Sequence, residues 1–364
     1  MGETLAKARR AVVIHSPYSG RSAQLSEALA YLKQAGIEIA EVTSVATLDD
    51  LPPQGKRWRE NGFDIAVAAG GDGLVGSVIT HIAVSGLHLG ILPLGTSNDI
   101  ARSIDIPQGL QQAAAVIAGG NIVEIDIGVA YPAEQAPHAA IEESPTLTQI
   151  PRSSRAFFAH ALTIGVNVQF ARMATNIATR KHYGRLTYPI TALEILKSHT
   201  PLDMELRFEG LALPATTSTA QVPVSTISEE GATISCRALQ ATVINAPIFG
   251  GAWRFAVPGA SLNDRLLDIV LVEEANLERL NALIGQFFSH PMQNHAAVSS
   301  ESAVSSLLQQ AELSNVPGIH HVQARGVHIS TNVDPQDATL DGEIRGQTPI
   351  HVRVANERLR VVVA

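Results

Sequence analysis

The chain has a single cysteine, Cys236, among 364 residues. No disulfide framework can form within it, and a thiol in an apolar-rich segment reads as a small core residue in a reducing compartment. Aromatic residues make up 4% and charged residues 16%, so the cores must be built from Ala, Val, Ile and Leu. No apolar run approaches the twenty or so residues needed to cross a bilayer as a helix. The opening MGETLAKARRAVVIH stops at Ser16-Pro17, too short for a signal h-region, and reads as a first strand. The net charge of −8 argues against a nucleic-acid binder and against adhesion to acidic lipid by overall charge. The expectation is a soluble, cytoplasmic protein whose membrane contact, if any, is peripheral and on the inner face. Also missing are internal repeats, coiled-coil heptads, a Gly-x-Gly-x-x-Gly dinucleotide fingerprint and a Walker loop. The histidines, including His290, His295, His320 and His321, lack zinc-site spacing and have no cysteine partners, and are read as structural or surface residues.

What is present centres on Phe63–Arg102, FDIAVAAGGDGLVGSVITHIAVSGLHLGILPLGTSNDIAR. Two short apolar runs, Ile65–Ala69 and Leu87–Leu92, are bounded as buried strands should be. The first ends in Gly70-Gly71-Asp72-Gly73 and opens into helical spacing at Val75, Val78, Ile79 and Ile82. The second ends in Pro93-Leu94-Gly95-Thr96-Ser97-Asn98-Asp99 before Ile100-Ala101-Arg102. Strand, turn, helix, repeated, is the grammar of a doubly wound parallel sheet, whose ligands sit past the carboxyl ends of the strands. Glycines there let backbone N–H groups approach phosphate oxygens, and helix N-termini add a favourable dipole. Either loop alone is equally an ordinary turn or a run of helix caps. As a pair they read as a nucleotide-phosphate site.

Around them, Ala11–His15 is a first strand leading into Ser16-Pro17-Tyr18-Ser19-Gly20-Arg21-Ser22 and a helix to about Gly36. Arg21 is either a phosphate contact or an exposed arginine near a helix start. Ile37–Val42 reads as a strand, Leu110–Ala118 as a helix and Asn121–Ala130 as a strand. The residues from Tyr131 to Ser154 carry four prolines and no periodicity, which suggests an insertion over 131–155. Beyond it lie strand-like segments at Phe157–Val168, Met204–Phe208, Thr233–Ala246, Arg254–Val257, Leu266–Val272, His320–Thr331, Ala338–Ile344, Pro349–Val354 and Arg358–Val363. They suggest a mostly antiparallel β domain, interrupted by helices near Gly184–Ser198 and Leu277–Phe287.

Three further places could carry chemistry. Arg172 and the run Arg180-Lys181-His182-Tyr183-Gly184-Arg185 form the densest cationic segment, either a face for phosphate or anionic lipid or a solvated helix start. Acids flank the turn Ser261–Asp268, where most such residues only cap. Asp341-Gly342-Glu343 is either an acidic pair for Mg²⁺ or general-base work or an exposed hairpin turn.

Taken together, these pieces resemble the diacylglycerol kinase catalytic family, in particular the bacterial soluble lipid kinases related to sphingosine kinases and NAD kinases. The opening Ser16–Arg21 is similar to the family's Asn-Pro-x-Ser-Gly-Lys/Arg. Gly70–Gly73 and Pro93–Arg102 match its Gly-Gly-Asp-Gly-Thr and Pro-Leu-Gly-Thr-x-Asn-Asp-Phe-Ala-Arg motifs. Gly184-Arg185-Leu186-x-Tyr188, Asn245…Phe249-Gly250-Gly251, Asp264-x-Leu266-Leu267-Asp268 and Asp341-Gly342-Glu343 follow in the family's order. The resemblance implies an α/β nucleotide domain over 1–130, with about 345–364 returning to it, and a β-sandwich lipid-binding domain over 156–344. It implies an ATP- and Mg²⁺-dependent kinase that phosphorylates a lipid hydroxyl, of diacylglycerol or a similar lipid. ATP would lie on Ser19, Gly20, Arg21, Gly70, Gly71, Asp72, Gly73, Gly95, Thr96, Ser97 and Asn98. Asp341 would be the general base with Glu343 beside it. Asp72 and Asp99 would hold Mg²⁺ partly through water, and Asp264 with the main-chain carbonyls of Ser261 and Leu266 a second, structural Mg²⁺. Arg180, Lys181 and Arg185 would face the membrane from which the lipid enters, and a homodimer stays open.

Five positions depart from the family pattern: Ser16 for Asn, Leu74 for Thr, Gly76 and Ser77 for Asn and Glu, and Arg265 for Gly. Leu74 has no hydroxyl to give a phosphate oxygen, a loss on the order of 1.5–3 kcal/mol where nothing compensates. The alternatives are therefore a catalytically weak or inactive nucleotide- or lipid-binding regulator on the same fold, or an NAD kinase-like enzyme.

Overall fold

The computed structural model describes residues 3–4, 10–17, 19–48, 53–133, 155–166, 168, 200–212, 226–228, 231–249, 255–257, 259–274, 319–333 and 335–364. Arg172, Arg180, Lys181 and Arg185, the expected helices near 184–198 and 277–287, and 134–154 of the expected insertion lie outside these residues.

Apolar runs without alternation make strands that are buried on both faces, and only a parallel sheet covered by helices accepts them. Ile65–Gly70 is buried at every position, and it lies in the interior of a seven-stranded sheet. The order is Glu3–Thr4, Asn121–Ile125, Leu359–Val363, His88–Pro93, Ile65–Gly70, Arg10–His15, Glu38–Ser44. The last five run parallel, and Asn121–Ile125 is antiparallel to its neighbours. From Arg10–His15 the chain crosses outward to Glu38–Ser44; from Ile65–Gly70 it crosses the other way to His88–Pro93. Right-handed crossovers in opposite directions put their helices on opposite faces and leave a crevice between the two starting strands. Ser16–Arg21 and Gly70–Gly73 leave the sheet at that crevice.

The second unit is an eleven-stranded, antiparallel sheet. Leu202–Ala212 shows the expected alternation, with Leu202, Met204, Leu206 and Phe208 buried. Gly231–Ile244 and Ile319–Thr331 change partners along their length. Each pairs with Leu202–Ala212 over one stretch and with Leu267–Glu273 over another, so the sheet folds over its own apolar cluster. The two sheets thus make an α/β unit and a β unit, the expected fold class.

Three expected strands are broken, each by a polar residue. Asn121–Ala130 divides at Asp126, which is fully buried. Asp126 N–H donates to Leu262 O at 2.6 Å, and its carboxylate takes Arg265 N–H at 2.7 Å and Arg358 Nε at 2.9 Å. The halves join different sheets, Asn121–Ile125 beside Leu359–Val363 and Gly128–Pro132 beside Ile350–Val354. Of the stretch expected to return to the first unit, 345–364, only Leu359–Val363 enters the seven-stranded sheet. Ile350–Val354 pairs with Ile319–Thr331 instead, because Ala355–Arg358 is where the chain crosses back beside Asp126. Phe157–Val168 breaks at Ala159-His160, and Ala338–Ile344 breaks at Asp341-Gly342. Asp341 and Gly342 both have positive φ, 50° and 87°, the geometry of a two-residue hairpin turn between Leu340 and Glu343.

Candidate active site

Three loops meet past the carboxyl ends of the parallel strands. Arg21 N–H donates to Leu94 O at 2.9 Å, and its guanidinium donates to Pro93 O. Leu94 N–H donates to Gly70 O at 3.0 Å. A Cβ on Gly95 would lie 2.3 Å from Gly71 Cα, and one on Gly20 would lie 2.8 Å from Thr96 Oγ1. Side chains at these glycines would prevent the loops from touching. The cradle exists because they are glycines.

Asn98 is in the left-handed region, φ 53°, and is buried. Its Oδ1 accepts Gly95 N–H at 2.9 Å, while Nδ2 donates to Gly95 O and to Gln108 Oε1, both at 3.1 Å. That side chain shapes the loop from within. Asp72 Oδ1 accepts Ile100 N–H at 2.9 Å, which ties the second loop to the helix Asp99–Ser103. Leu74 is 5% exposed and packs over Gly70 and near Ser19.

The hairpin from the far end of the chain arrives at the same place. Asp341 is buried. Its Oδ1 accepts His160 N–H at 2.9 Å and Ala161 N–H at 3.1 Å, and its Oδ2 accepts Ala159 N–H at 3.0 Å. Burial pushes its carboxyl up to about 6, against the opposing pull of His160 and those three amides. A Cβ on Gly76 would lie 2.6 Å from Asp341 Oδ2, and one on Gly73 would lie 2.8 Å from Glu343 Oε1. The helix Asp72–Ile82 therefore presents bare backbone to both acids. Its first two residues, Asp72 and Gly73, complete the Gly-Gly-Asp-Gly loop. Asp99, on the next loop, has Oδ2 4.0 Å from His160 Nε2, and His160 Nε2 lies 2.9 Å from Ile248 O.

No three His, Cys, Asp or Glu side chains cluster to hold a metal among the described residues. Asp72 and Asp99 are two carboxylates on adjoining loops. That donor set fits a Mg²⁺ held by one or two acids with phosphate oxygens and water completing its shell. Ser261, Asp264 and Leu266 share one turn, in which Asp264 Oδ1 accepts Leu266 N–H at 3.0 Å and Ser261 Oγ donates to Asn263 Oδ1 at 2.8 Å. Desolvation, then Asp268 and Asp126, raise the Asp264 carboxyl. Two positive charges border this turn: the Arg265 guanidinium faces Asp126 and donates to Ala355 O at 2.8 Å, and the Arg358 guanidinium donates to Asn263 O at 2.8 Å.

Sequence reasoning missed the amides of Ala159–Ala161, the His160 ring, and the pair Ser77 and Arg345, where the Arg345 guanidinium donates to Ser77 Oγ and to Glu343 Oε2. Gly73 and Gly76, one helical turn apart, were the one local signal. His160 had none.

The model of the diacylglycerol kinase catalytic domain matches residues 10–130. That of the YegS C-terminal NAD kinase beta sandwich-like domain matches 160–314. The chain is 24% identical to a diacylglycerol kinase of Staphylococcus saprophyticus over 351 residues, 94% of this chain and 91% of that one. It is 23% identical to a diacylglycerol kinase of Staphylococcus aureus over 346 residues, 94% and 88% of the two chains. A crystal structure of a diacylglycerol kinase from Bacillus anthracis superposes with a TM-score of 0.61 at 17% identity, covering 99% of this chain and 98% of that one; at that identity the likeness concerns the fold. With its two units matched in order and its glycine loops facing the late acidic hairpin, the chain carries a diacylglycerol kinase catalytic domain over residues 10–130, followed by a YegS C-terminal NAD kinase beta sandwich-like domain over 160–314.

Proposed function

We propose that this chain is an ATP- and Mg²⁺-dependent lipid kinase that transfers the γ-phosphoryl group to a hydroxyl of diacylglycerol or a similar lipid. The observation that carries the reading is the position of Asp341. It is a buried carboxylate oriented by three amides, set against the helix that begins at Gly71-Asp72-Gly73. Phosphoryl transfer needs positioning and charge neutralisation more than covalent chemistry, and those are what this cleft offers. The amides of Gly71–Gly73 and Gly95–Ser97 would hold the ATP phosphates, with Arg21 beside them. Bound Mg²⁺, held by Asp72 and Asp99, would neutralise phosphate charge. Asp341 would take the hydroxyl proton as the lipid oxygen forms its bond to the γ-phosphorus and the bond to the bridging oxygen of ADP breaks. The raised carboxyl suits a base working near neutral pH. Arg180, Lys181 and Arg185 would meet the anionic membrane surface. No helix among the described residues is long and apolar enough to cross a membrane, which accords with a lipid substrate met at the surface.

Leu74 favours a second reading, a regulator that binds nucleotide or lipid without transfer, because a buried leucine stands where the family has a hydroxyl. Radiolabelled transfer from ATP to a lipid panel, with calorimetry of ATP–Mg²⁺ binding, separates the two. Transfer that is lost in Asp341→Ala while ATP binding persists is the expected result. Binding without transfer to any lipid would leave the regulator, and turnover retained in Asp341→Ala would remove the base assignment.

A further inference from the structure

Glu343 would be a poorly aimed carboxylate on its own. Its side chain is 53% exposed and hangs from the end of a hairpin, where several rotamers are open to it. Two observations show what aims it. Arg345 lies two residues further along the same strand, Glu343–Gln347, and so on the same face. Its side chain is only 24% exposed, and one nitrogen, Nη2, donates both to Glu343 Oε2 and to Ser77 Oγ. Ser77 is itself buried, 3% exposed, and belongs to the helix Asp72–Ile82. The other Glu343 oxygen, Oε1, lies over Gly73, where a Cβ would come within 2.8 Å of it. The carboxylate is thus held on one side by a guanidinium and faces bare helix backbone on the other. That guanidinium is in turn anchored to the helix that carries the Gly-Gly-Asp-Gly loop.

We propose that Arg345 is the positioning residue for Glu343: it joins the acidic hairpin of the β unit to the glycine-loop helix of the α/β unit and sets the register between them. The inference rests on the kinase reading above. Arg345 touches no reacting atom in this account; it acts through Glu343 and through the seating of Asp341 two residues earlier. A surface ion pair alone would contribute little. Here the third partner, Ser77, makes the arginine bridge the β unit's hairpin to a helix of the α/β unit, and a displacement of about 1 Å at a reacting group costs on the order of a hundredfold in rate.

The test compares Arg345→Met, Arg345→Lys and Ser77→Ala with wild type on dioleoylglycerol in detergent micelles and on the best acceptor of a lipid panel. Arg345→Met should lower kcat about thirtyfold with KM for ATP changed by no more than about threefold. Its thermal midpoint should stay within about 2 °C of wild type, because methionine keeps the apolar stem of this part-buried side chain in place. Arg345→Lys, which keeps the charge and a donor, should recover part of the loss. Wild-type kcat in Arg345→Met, or a loss that follows a collapse of the midpoint, overturns the proposal. A wild-type chain that transfers to no lipid overturns the kinase reading instead. The bridge is then read by urea unfolding, where Ser77→Ala and Arg345→Met should fall short of multiplying by about threefold in the unfolding constant. Effects that multiply fully overturn the bridge.

Discussion

A methyl group on Gly76 would lie 2.6 Å from Oδ2 of Asp341. The carboxylate cannot retreat, because three amides of Ala159–Ala161 hold it from the other side. Gly76→Ala should therefore push the hairpin away from the helix. Transfer should fall at least about tenfold, although alanine favours the helix itself by up to about 1 kcal/mol. Steady-state kinetics with urea unfolding would read the two effects apart. Unchanged turnover in Gly76→Ala would detach Asp341 from the reaction.

The Asp341 carboxyl also makes a pH prediction. It rises from 3.8 to about 6 on burial, so it is protonated in the folded chain over a range where an unfolded chain has lost that proton. Stability from this group is intact below pH 3.8 and is withdrawn as pH rises through about 6, by about 3 kcal/mol in all. Asp341→Asn removes the dependence. Its stability relative to wild type, measured in urea, should therefore be about 3 kcal/mol higher at pH 8 than at pH 4. Wild-type transfer should rise through pH 6 as the base ionises, and a difference that does not vary with pH would contradict the buried carboxylate.

Leu74→Thr trades packing for chemistry. The leucine is 5% exposed and covers Gly70, so its loss should cost about 1–3 kcal/mol of stability. A hydroxyl beside the phosphate loop should raise kcat/KM for ATP about tenfold, the worth of one charge-assisted hydrogen bond. A variant that is less stable and no more active would show that Leu74 does not face the nucleotide.

Arg265 has φ 66°, a conformation that costs a non-glycine residue about 1–2 kcal/mol. Arg265→Gly relieves that strain and keeps the N–H donated to Asp126, while giving up half-exposed side-chain contacts. Its stability should stay within about 1 kcal/mol of wild type. Asp126→Asn should cost about 3 kcal/mol or more, since the buried carboxylate faces Arg265 and Arg358 together. Equal costs for the two variants, by urea unfolding, would refute this division of labour.

Much of this was legible in the residues. Ile65–Gly70 and His88–Pro93 declare themselves as buried parallel strands by unbroken apolar character, and the glycines after them mark the loops that touch. Asp341-Gly342 is both things its residues allowed, a tight hairpin turn and an acid placed at the cleft. Turn chemistry and periodicity are local, so a few neighbouring residues suffice to encode them.

What no local pattern carries is which distant backbone meets a given side chain. The amides around Asp341 come from Ala159–Ala161, the space beside it from Gly76, and the anchor of Glu343 from Ser77 through Arg345. The breaks at Asp126 and at Ala159-His160 likewise come from buried polar groups whose partners lie elsewhere in the chain. The sequence by itself determined the strands, the glycine loops and the turn, because each depends on near-neighbour geometry. The tertiary structure decided the charge state of Asp341 and the aim of Glu343, because desolvation and long-range hydrogen bonds exist only once the two sheets have packed together.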